Sequence, residues 1–340
     1  MVVVLIIVVL LAGVAGGFLA YENSLKAVDP LDGAEITIEI PEGTPVDGIA
    51  KILKENGLIK NVFFFKFYVN RSGSGGDFRQ GSFALTKAMP VGEIVTKLTT
   101  TGSAAASVKF TIPEGYNIVQ IKNRLVENGI VTEEAFMEEI RNGEFDYRFL
   151  ADCPPGDERL EGFLYPDTYE VFEGEDAHSV IGRMLENFDS KFKDEYYTRA
   201  EERGISVRDA VTMGSIIERE SKAPEERPVM AAVFYNRLDT GMKLESCATV
   251  QYILGEPKEI LTYDDIAIDS PYNTYIYSGL PPGPICNPRM ASIEAALYPD
   301  SNDYIFFVLS PALDGTHNFS VDYDDFLDYK AEYENAIANR

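Results

Sequence analysis

Tryptophan is absent from this 340-residue chain, histidine occurs only twice, and the three cysteines show no CxxC pair or other metal-type spacing. The first absence leaves any stacking on a sugar or a base to the 19 Tyr and 20 Phe residues. The other two argue against a metal centre, because neither a thiolate set nor an imidazole set can be read from such spacings. No metal and no cofactor is expected. Positive charge is scarce as well. Lys and Arg number 30 against 55 Asp and Glu, a formal charge of -25, and so acidic a surface repels phosphate backbones and excludes nucleic acid as a partner. What is present suits a folded protein: 45% of residues are hydrophobic, enough for two or three domains with cores of their own.

The first 20 residues carry no charge and are almost all Val, Ile, Leu, Ala and Gly. At about 1.5 Å rise per residue they just cross about 30 Å of hydrocarbon. A cleaved signal peptide has a basic start and a shorter apolar core, and neither is found here, so an uncleaved anchor is expected over residues 1–20. No Lys or Arg precedes the span and only Lys26 closely follows it, so basic residues say little about orientation. The acidic flank from Glu22 to Glu35 points to the outer side, with the bulk of the chain outside the cytoplasm.

An internal echo organises the first half. Ile36 to Gly43 reads Ile-Thr-Ile-Glu-Ile-Pro-Glu-Gly and is followed by a helical run ending Asn56-Gly57. Val108 to Gly115 also ends in Pro-Glu-Gly and leads to a run ending Asn128-Gly129. The second copy lies 72 residues after the first, Pro113 against Pro41. Each copy alternates apolar residues as a strand does, turns, and then places apolar residues at helical spacing, Ile49, Ile52 and Leu53 against Ile121 and Leu125. Asn-Gly is the expected helix stop.

Between the copies stand a Phe-rich helix near Val62 to Val69, a strand near Ser82 to Thr86 and a helix over Pro90 to Leu98. Beyond the second copy, helices are expected at Glu133 to Ile140, Ser179 to Glu202, Ser206 to Glu220, Glu226 to Leu238, Met290 to Leu297 and Asp322 to Ala338, with a strand at Tyr304 to Leu309. The fold class is therefore α+β. The divisions are an anchor over 1–20, a juxtamembrane linker over 21–34, a small α/β module over 35–106 and a larger mixed domain over 107–340.

One helix carries a candidate for chemistry. Ser206, three residues before Asp209, makes a capping-box-like start that fixes the helical phase. Val207, Val211 and Gly214 then share a face with Glu218. A carboxyl on such an apolar stripe is desolvated, which favours its protonated form and suits it to donate a proton near neutral pH. Glu220 is a rival, because it shares a face with Met213, Ile216 and Ile217. The plain alternative is a buried glutamate paired with Arg219 or Lys222. Spacing leaves these readings open.

The run Gly214-Ser215-Ile216-Ile217-Glu218-Arg219-Glu220 resembles the YceG-like endolytic murein transglycosylases. So do Leu160-Glu161-Gly162-Phe163-Leu164-Tyr165-Pro166, Val233-Phe234-Tyr235-Asn236-Arg237-Leu238 and Thr249-Val250-Gln251-Tyr252. Ser270-Pro271-Tyr272-Asn273-Thr274-Tyr275, Gly279 to Ile285 and His317-Asn318-Phe319 continue the likeness in the family order. The first module resembles the LysM-like domain of the same family by pattern. The resemblance implies cleavage of the β-1,4 bond between N-acetylmuramic acid and N-acetylglucosamine without water, leaving a 1,6-anhydro end. It selects Glu218 over Glu220 as the catalytic acid and base. An ordinary glycosidase needs a second carboxylate, whereas here the sugar's own 6-hydroxyl is the nucleophile.

It further implies that Glu161, Tyr165, Asn236, Gln251 and Asn273 contact substrate, although each can equally hold a loop together. Cys247 and Cys286 stand where relatives carry other residues, which favours a disulfide between them, against the alternative of three buried thiols. His317 reads as structural or substrate-positioning, and Leu280 to Pro284 as a rigid wall. The expected partners are peptidoglycan glycan strands, the cytoplasmic membrane and wall-synthesis proteins in it. Two other classes of function stay open: a non-catalytic peptidoglycan-binding scaffold, and a water-using hydrolase that pairs Glu218 with Glu161 or Glu220.

Overall fold

The computed structural model describes residues 17, 20–41, 43–74, 78–100, 107–172, 174–258 and 260–339. It is mixed α+β, with two compact units that divide between Val108 and Lys109. Among the described residues no helix is long and apolar enough to cross a membrane. The anchor expected over 1–20 lies outside the described residues, apart from Gly17 and Ala20.

The first unit runs β1 (Glu35–Ile40), α1 (Val46–Glu55), α2 (Val62–Ser72), β2 (Gly81–Thr86) and α3 (Val91–Thr100). Its two strands are antiparallel, with Ile36 opposite Leu85 and Ile38 opposite Phe83. Strand alternation sends Ile38, Ile40, Phe83 and Leu85 inward, where they meet Ile49 and Leu53 of α1, Phe65 and Val69 of α2, and Ile94 and Leu98 of α3. Asn61 caps α2 by accepting from the Phe64 N–H at 3.2 Å.

The echo of that start is β3 (Ser107–Thr111), which runs across the division, and α4 (Ile118–Glu127) in the second unit. Both echoed helices end on a cap asparagine, Asn56 and Asn128, followed by a glycine at φ +67°. That left-handed turn releases the last helical carbonyls to the cap N–H groups. There follow α5 (Glu133–Asn142), β4 (Thr168–Phe172), which pairs with β3, α6 (Ala177–Lys191) and α7 (Asp194–Arg203). The single helix expected over Ser179 to Glu202 is thus two. The chain breaks at Phe192, whose ring is buried among Phe188, Tyr196 and Tyr197. No Gly or Pro marks that bend, so helical periodicity alone runs through it.

The centre of the unit is α8 (Val207–Glu220), capped by the Ser206–Asp209 box that its sequence foretells. Val211, Met213, Ile216 and Ile217 are fully buried, each contributing about 1.5–3 kcal/mol relative to exposure. Around it stand α9 (Arg227–Asp239), α10 (Cys247–Leu254), the short α11 (Tyr263–Ile266) and α12 (Met290–Leu297). The antiparallel pair β5 (Phe306–Leu309) and β6 (His317–Ser320) and the terminal α13 (Tyr323–Ala338) complete it. Helix α10 occupies a stretch for which the sequence predicts no element. Its β-branched Thr249 and Val250 blur the helical signal, and its N-terminus is held from outside, by Glu220.

The Leu280 to Pro284 run packs against the centre of the unit. Pro284 abuts Gly162, where an added Cβ would stand 2.6 Å from its Cγ. Arg208 donates to the Pro282 carbonyl at 3.4 Å from Nε.

Candidate active site

Glycine 214 sets the geometry. An added Cβ there would lie 3.1 Å from Ile293 Cα and 3.2 Å from its backbone nitrogen, so α8 and α12 touch backbone to backbone at this point. One turn further along the same face of α8 stands Glu218. The close approach brings the N-terminal end of α12 onto the Glu218 carboxylate, whose side chain is only 4% exposed.

Three kinds of donor meet it. Arg289 Nε lies 2.9 Å from Oε1 and 3.1 Å from Oε2. The Arg289 backbone N–H donates to Oε2 at 3.2 Å and the Ser292 hydroxyl at 2.7 Å. Arg289 Nη2 is 2.9 Å from Oε1 and also lies 3.9 Å from Glu114 Oε2, on the second Pro-Glu-Gly turn. The plain alternative paired Glu218 with Arg219 or Lys222; the partner in the structure is Arg289. Gly115 of the turn backs the site, since a Cβ on it would be 3.8 Å from Glu218 Cγ.

Glu161 is built differently. It is buried, and its carboxyl accepts from the Ile118 N–H at 3.0 Å and from Asn287 Nδ2 at 3.0 Å, with Tyr252 Oη 3.4 Å away. Burial raises its pKa to about 8, against the lowering pull of the Ile118 N–H. Asn287 spans this joint: its Oδ1 accepts from the Leu164 N–H at 2.8 Å, its Nδ2 also reaches the Tyr116 carbonyl at 3.0 Å, and its own carbonyl accepts from the Gly115 N–H. Glu161 therefore fixes, through Asn287, the turn that backs Glu218 and the segment that delivers Arg289.

Glu220, the rival carboxylate, points to α10. It accepts from the Ser246 hydroxyl at 2.5 Å and from the Ala248 N–H at 3.4 Å, a negative charge at a helix N-terminus. Tyr165 is near the Glu218 cluster, its Oη accepting from the Met290 N–H at 3.4 Å; burial raises its pKa. Gln251 donates to the Lys258 carbonyl at 3.0 Å and faces a small hollow beside Gly115 and Arg219. That hollow shares Asn117, Tyr252 and Gly255 with a cleft of about 590 Å³ whose walls include Lys122, Glu158 and Tyr272.

Two expected substrate contacts go elsewhere. Asn273 is fully buried, donating to the Ile266 and Ile268 carbonyls and accepting from the Tyr275 N–H, so its amide closes its own loop. Asn236 Nδ2 donates to the Asn302 and Tyr304 carbonyls, both at 2.9 Å. Each satisfies backbone groups that would otherwise be stranded. The Cys247–Cys286 bridge is also absent. All three thiols are free. Cys286 is buried with its Sγ 3.4 Å from the Ser215 carbonyl, whereas Cys247 is exposed at the start of α10 with its Sγ 3.1 Å from Tyr275 Oη. His317 is held by Glu226, with Nδ1 2.8 Å from Oε2 and its backbone N–H donating to Oε1 at 2.8 Å.

Sequence reasoning missed Arg289, Ser292, Asn287 and Glu114. A signal for Glu114 existed in the repeated Pro-Glu-Gly turn. Asn287 and Arg289 follow within four residues of the Gly279 to Ile285 run, but only folding lays them along α8.

The model of the YceG-like family matches residues 38–332. An endolytic murein transglycosylase of Bacillus subtilis (strain 168) is 33% identical over 306 residues, covering 87% of this chain and 84% of its own length. One from Streptococcus pneumoniae serotype 2 is 30% identical over 353 residues, and the match covers 96% of this chain but 64% of that longer protein. Among solved structures, that of a yceG-like protein from Listeria monocytogenes superposes with a TM-score of 0.56 at 34% identity, covering 86% of this chain and 98% of that one.

Proposed function

Because the chain belongs to the YceG-like family, we propose that it is an endolytic murein transglycosylase: an enzyme that cuts peptidoglycan glycan strands between N-acetylmuramic acid and N-acetylglucosamine and leaves a 1,6-anhydro end. The observation that carries this reading is the buried Glu218 carboxylate, held in one orientation by Arg289 and Ser292 and backed by Gly115, which lines the small hollow. Glu218 first protonates the leaving glycosidic oxygen and then, as carboxylate, takes the proton of the 6-hydroxyl as that oxygen attacks the anomeric carbon. In the substrate complex one carboxyl oxygen of Glu218 turns from Arg289 to present its proton to the leaving oxygen, and Arg289 stays close enough to stabilise the carboxylate that forms.

A second carboxylate is the requirement of ordinary glycosidases. Glu161 is occupied on both oxygens and Glu220 is committed to α10, which supports the intramolecular route. One observation favours a water-using hydrolase instead: Glu114, a half-exposed carboxylate that shares Arg289 with Glu218. Mass spectrometry of the products from purified wall glycan separates the two. Anhydro ends, lighter by one water, support the transglycosylase; reducing ends sink it; binding without cleavage points to a scaffold.

The setting follows from the same reading. The apolar residues 1–20 anchor the chain in the cytoplasmic membrane with the second unit outside, near wall-synthesis proteins, where cleavage trims or ends nascent strands. The strand–helix–helix–strand order of the first unit, with its antiparallel pair, supports reading it as a LysM-like module. Tyr165 and Gln251 are the remaining candidates for sugar contact.

A further inference from the structure

Helix α2 of the first unit is apolar on more than its core face. Phe65 and Val69 are buried, but Phe63 is 70% exposed and Phe67 47% exposed on the other side. A helix that is hydrophobic all round belongs in a core or against lipid. Phe67 is in edge contact with Tyr21 at 5.4 Å between centroids, and Tyr21 with Phe64 at 5.8 Å. Gly17, Tyr21, Phe63, Phe64, Phe67 and Arg71 line an open groove of about 340 Å³. By sequence Tyr21 follows directly on the 20 uncharged residues of the N-terminus.

Charge singles out the same patch. From Asn56 to Gly76 the chain carries Lys60, Lys66 and Arg71 and no Asp or Glu, within a protein whose formal charge is -25. Lys66 pairs with Asp47 at 2.5 Å and Lys60 Nζ lies 3.4 Å from the Asn23 carbonyl, while Arg71 sits exposed at the rim of the groove. Exposed aromatics with Arg71 at their rim, in a stretch free of Asp and Glu within an acidic chain, fit an anionic lipid headgroup layer. They do not fit the acidic remainder of a second copy.

We propose that the Phe63–Phe67 face of α2 is a membrane-surface patch: these two rings enter the headgroup boundary of an anionic bilayer beside the N-terminal anchor. The inference rests on the anchored reading given above. Amphipathic faces of this kind sink about 5–10 Å into the boundary. The consequence is orientation: the first unit lies down on the bilayer instead of swinging on its linker.

The absence of Trp supplies the test. Phe63→Trp and Phe67→Trp each place a single indole in the whole 340-residue chain, and Tyr263→Trp, at a site 90% exposed in the second unit, is the control. Each variant is reconstituted in vesicles of phosphatidylcholine with phosphatidylglycerol, with and without brominated acyl chains, and checked by flotation. The expected result is flotation of all three variants, with blue-shifted emission lost to brominated lipid at positions 63 and 67 but not at 263. Quenching should weaken in vesicles of phosphatidylcholine alone. Flotation with water-like, unquenched emission at 63 and 67 overturns this inference and leaves the anchor intact. Failure to float overturns both. Blue-shifted emission that brominated lipid does not quench means that protein covers the patch, and also overturns it.

Discussion

The guanidinium of Arg289 lies across the Glu218 carboxylate, with Nε 2.9 Å from one oxygen and 3.1 Å from the other and Nη2 2.9 Å from the first. Removing one partner of such a pair leaves a buried charge uncompensated, at a cost of about 3–5 kcal/mol when burial is complete and less when one partner is partly exposed. Arg289→Ala should therefore lower kcat by about 10–100-fold through loss of carboxylate orientation, with little change in KM, and should lower the melting temperature. Arg289→Lys keeps the charge but not the planar fork, and should fall between. An alanine variant with unchanged kcat would show the pair to be dispensable.

Glu161 makes stability depend on pH in an unusual direction. Its folded-state pKa of about 8 lies above the ordinary 4.5, so between those values the folded chain holds a proton that the unfolded chain has lost. Stability from this group is complete below about pH 4.5 and is lost as pH rises through about 8, by at most about 5 kcal/mol. Glu161→Gln keeps the shape without the titration. Urea midpoints measured from pH 5 to 9 should fall for the wild type relative to the Gln variant, and parallel curves would refute the assignment.

Gly162 has no room for a side chain. Its φ is +91°, and a Cβ would stand 2.6 Å from Pro284 Cγ and 2.7 Å from Val211 Cγ1. Backbone strain and overpacking each cost about 1–3 kcal/mol, so Gly162→Ala should lose about 2–6 kcal/mol. Chemical denaturation reads this directly, and a loss within 0.5 kcal/mol, the range of neutral surface changes, would contradict the packing.

Glu220 holds the start of α10. Glu220→Ala strips the acceptor from the Ser246 hydroxyl and the Ala248 N–H and should cost about 1–2 kcal/mol, whereas Glu220→Gln, which keeps an acceptor oxygen, should cost less. Equal losses in thermal unfolding would mean that charge alone matters there.

Local signals made much of this fold readable. The Ser206–Asp209 box and the two Asn-Gly stops depend on neighbours a few residues apart, the 72-residue echo repeats one such local pattern, and each produced the element expected. Helix α10 and the break at Phe192 were hidden because tertiary partners decide them: Glu220 at the N-terminus of one, an aromatic cluster at the other. The site divides in the same way. Glu218 could be phased on its helix, but Arg289 and Ser292 lie more than 70 residues away in sequence and arrive only because Gly214 lets α12 close on α8. Asn236 and Asn273, polar residues within recognisable runs, spend their amides on backbone groups, and sequence does not distinguish an amide that serves a ligand from one that serves the backbone.

The central claim is that Glu218 alone acts as acid and then as base. The most direct measurement is product formation from purified wall glycan by Glu218→Gln beside Glu220→Gln, both verified as folded. The account predicts that Glu218→Gln loses about 10²–10⁴-fold in the rate of anhydro-ended product while Glu220→Gln keeps most of its activity. Undiminished cleavage by Glu218→Gln would contradict it.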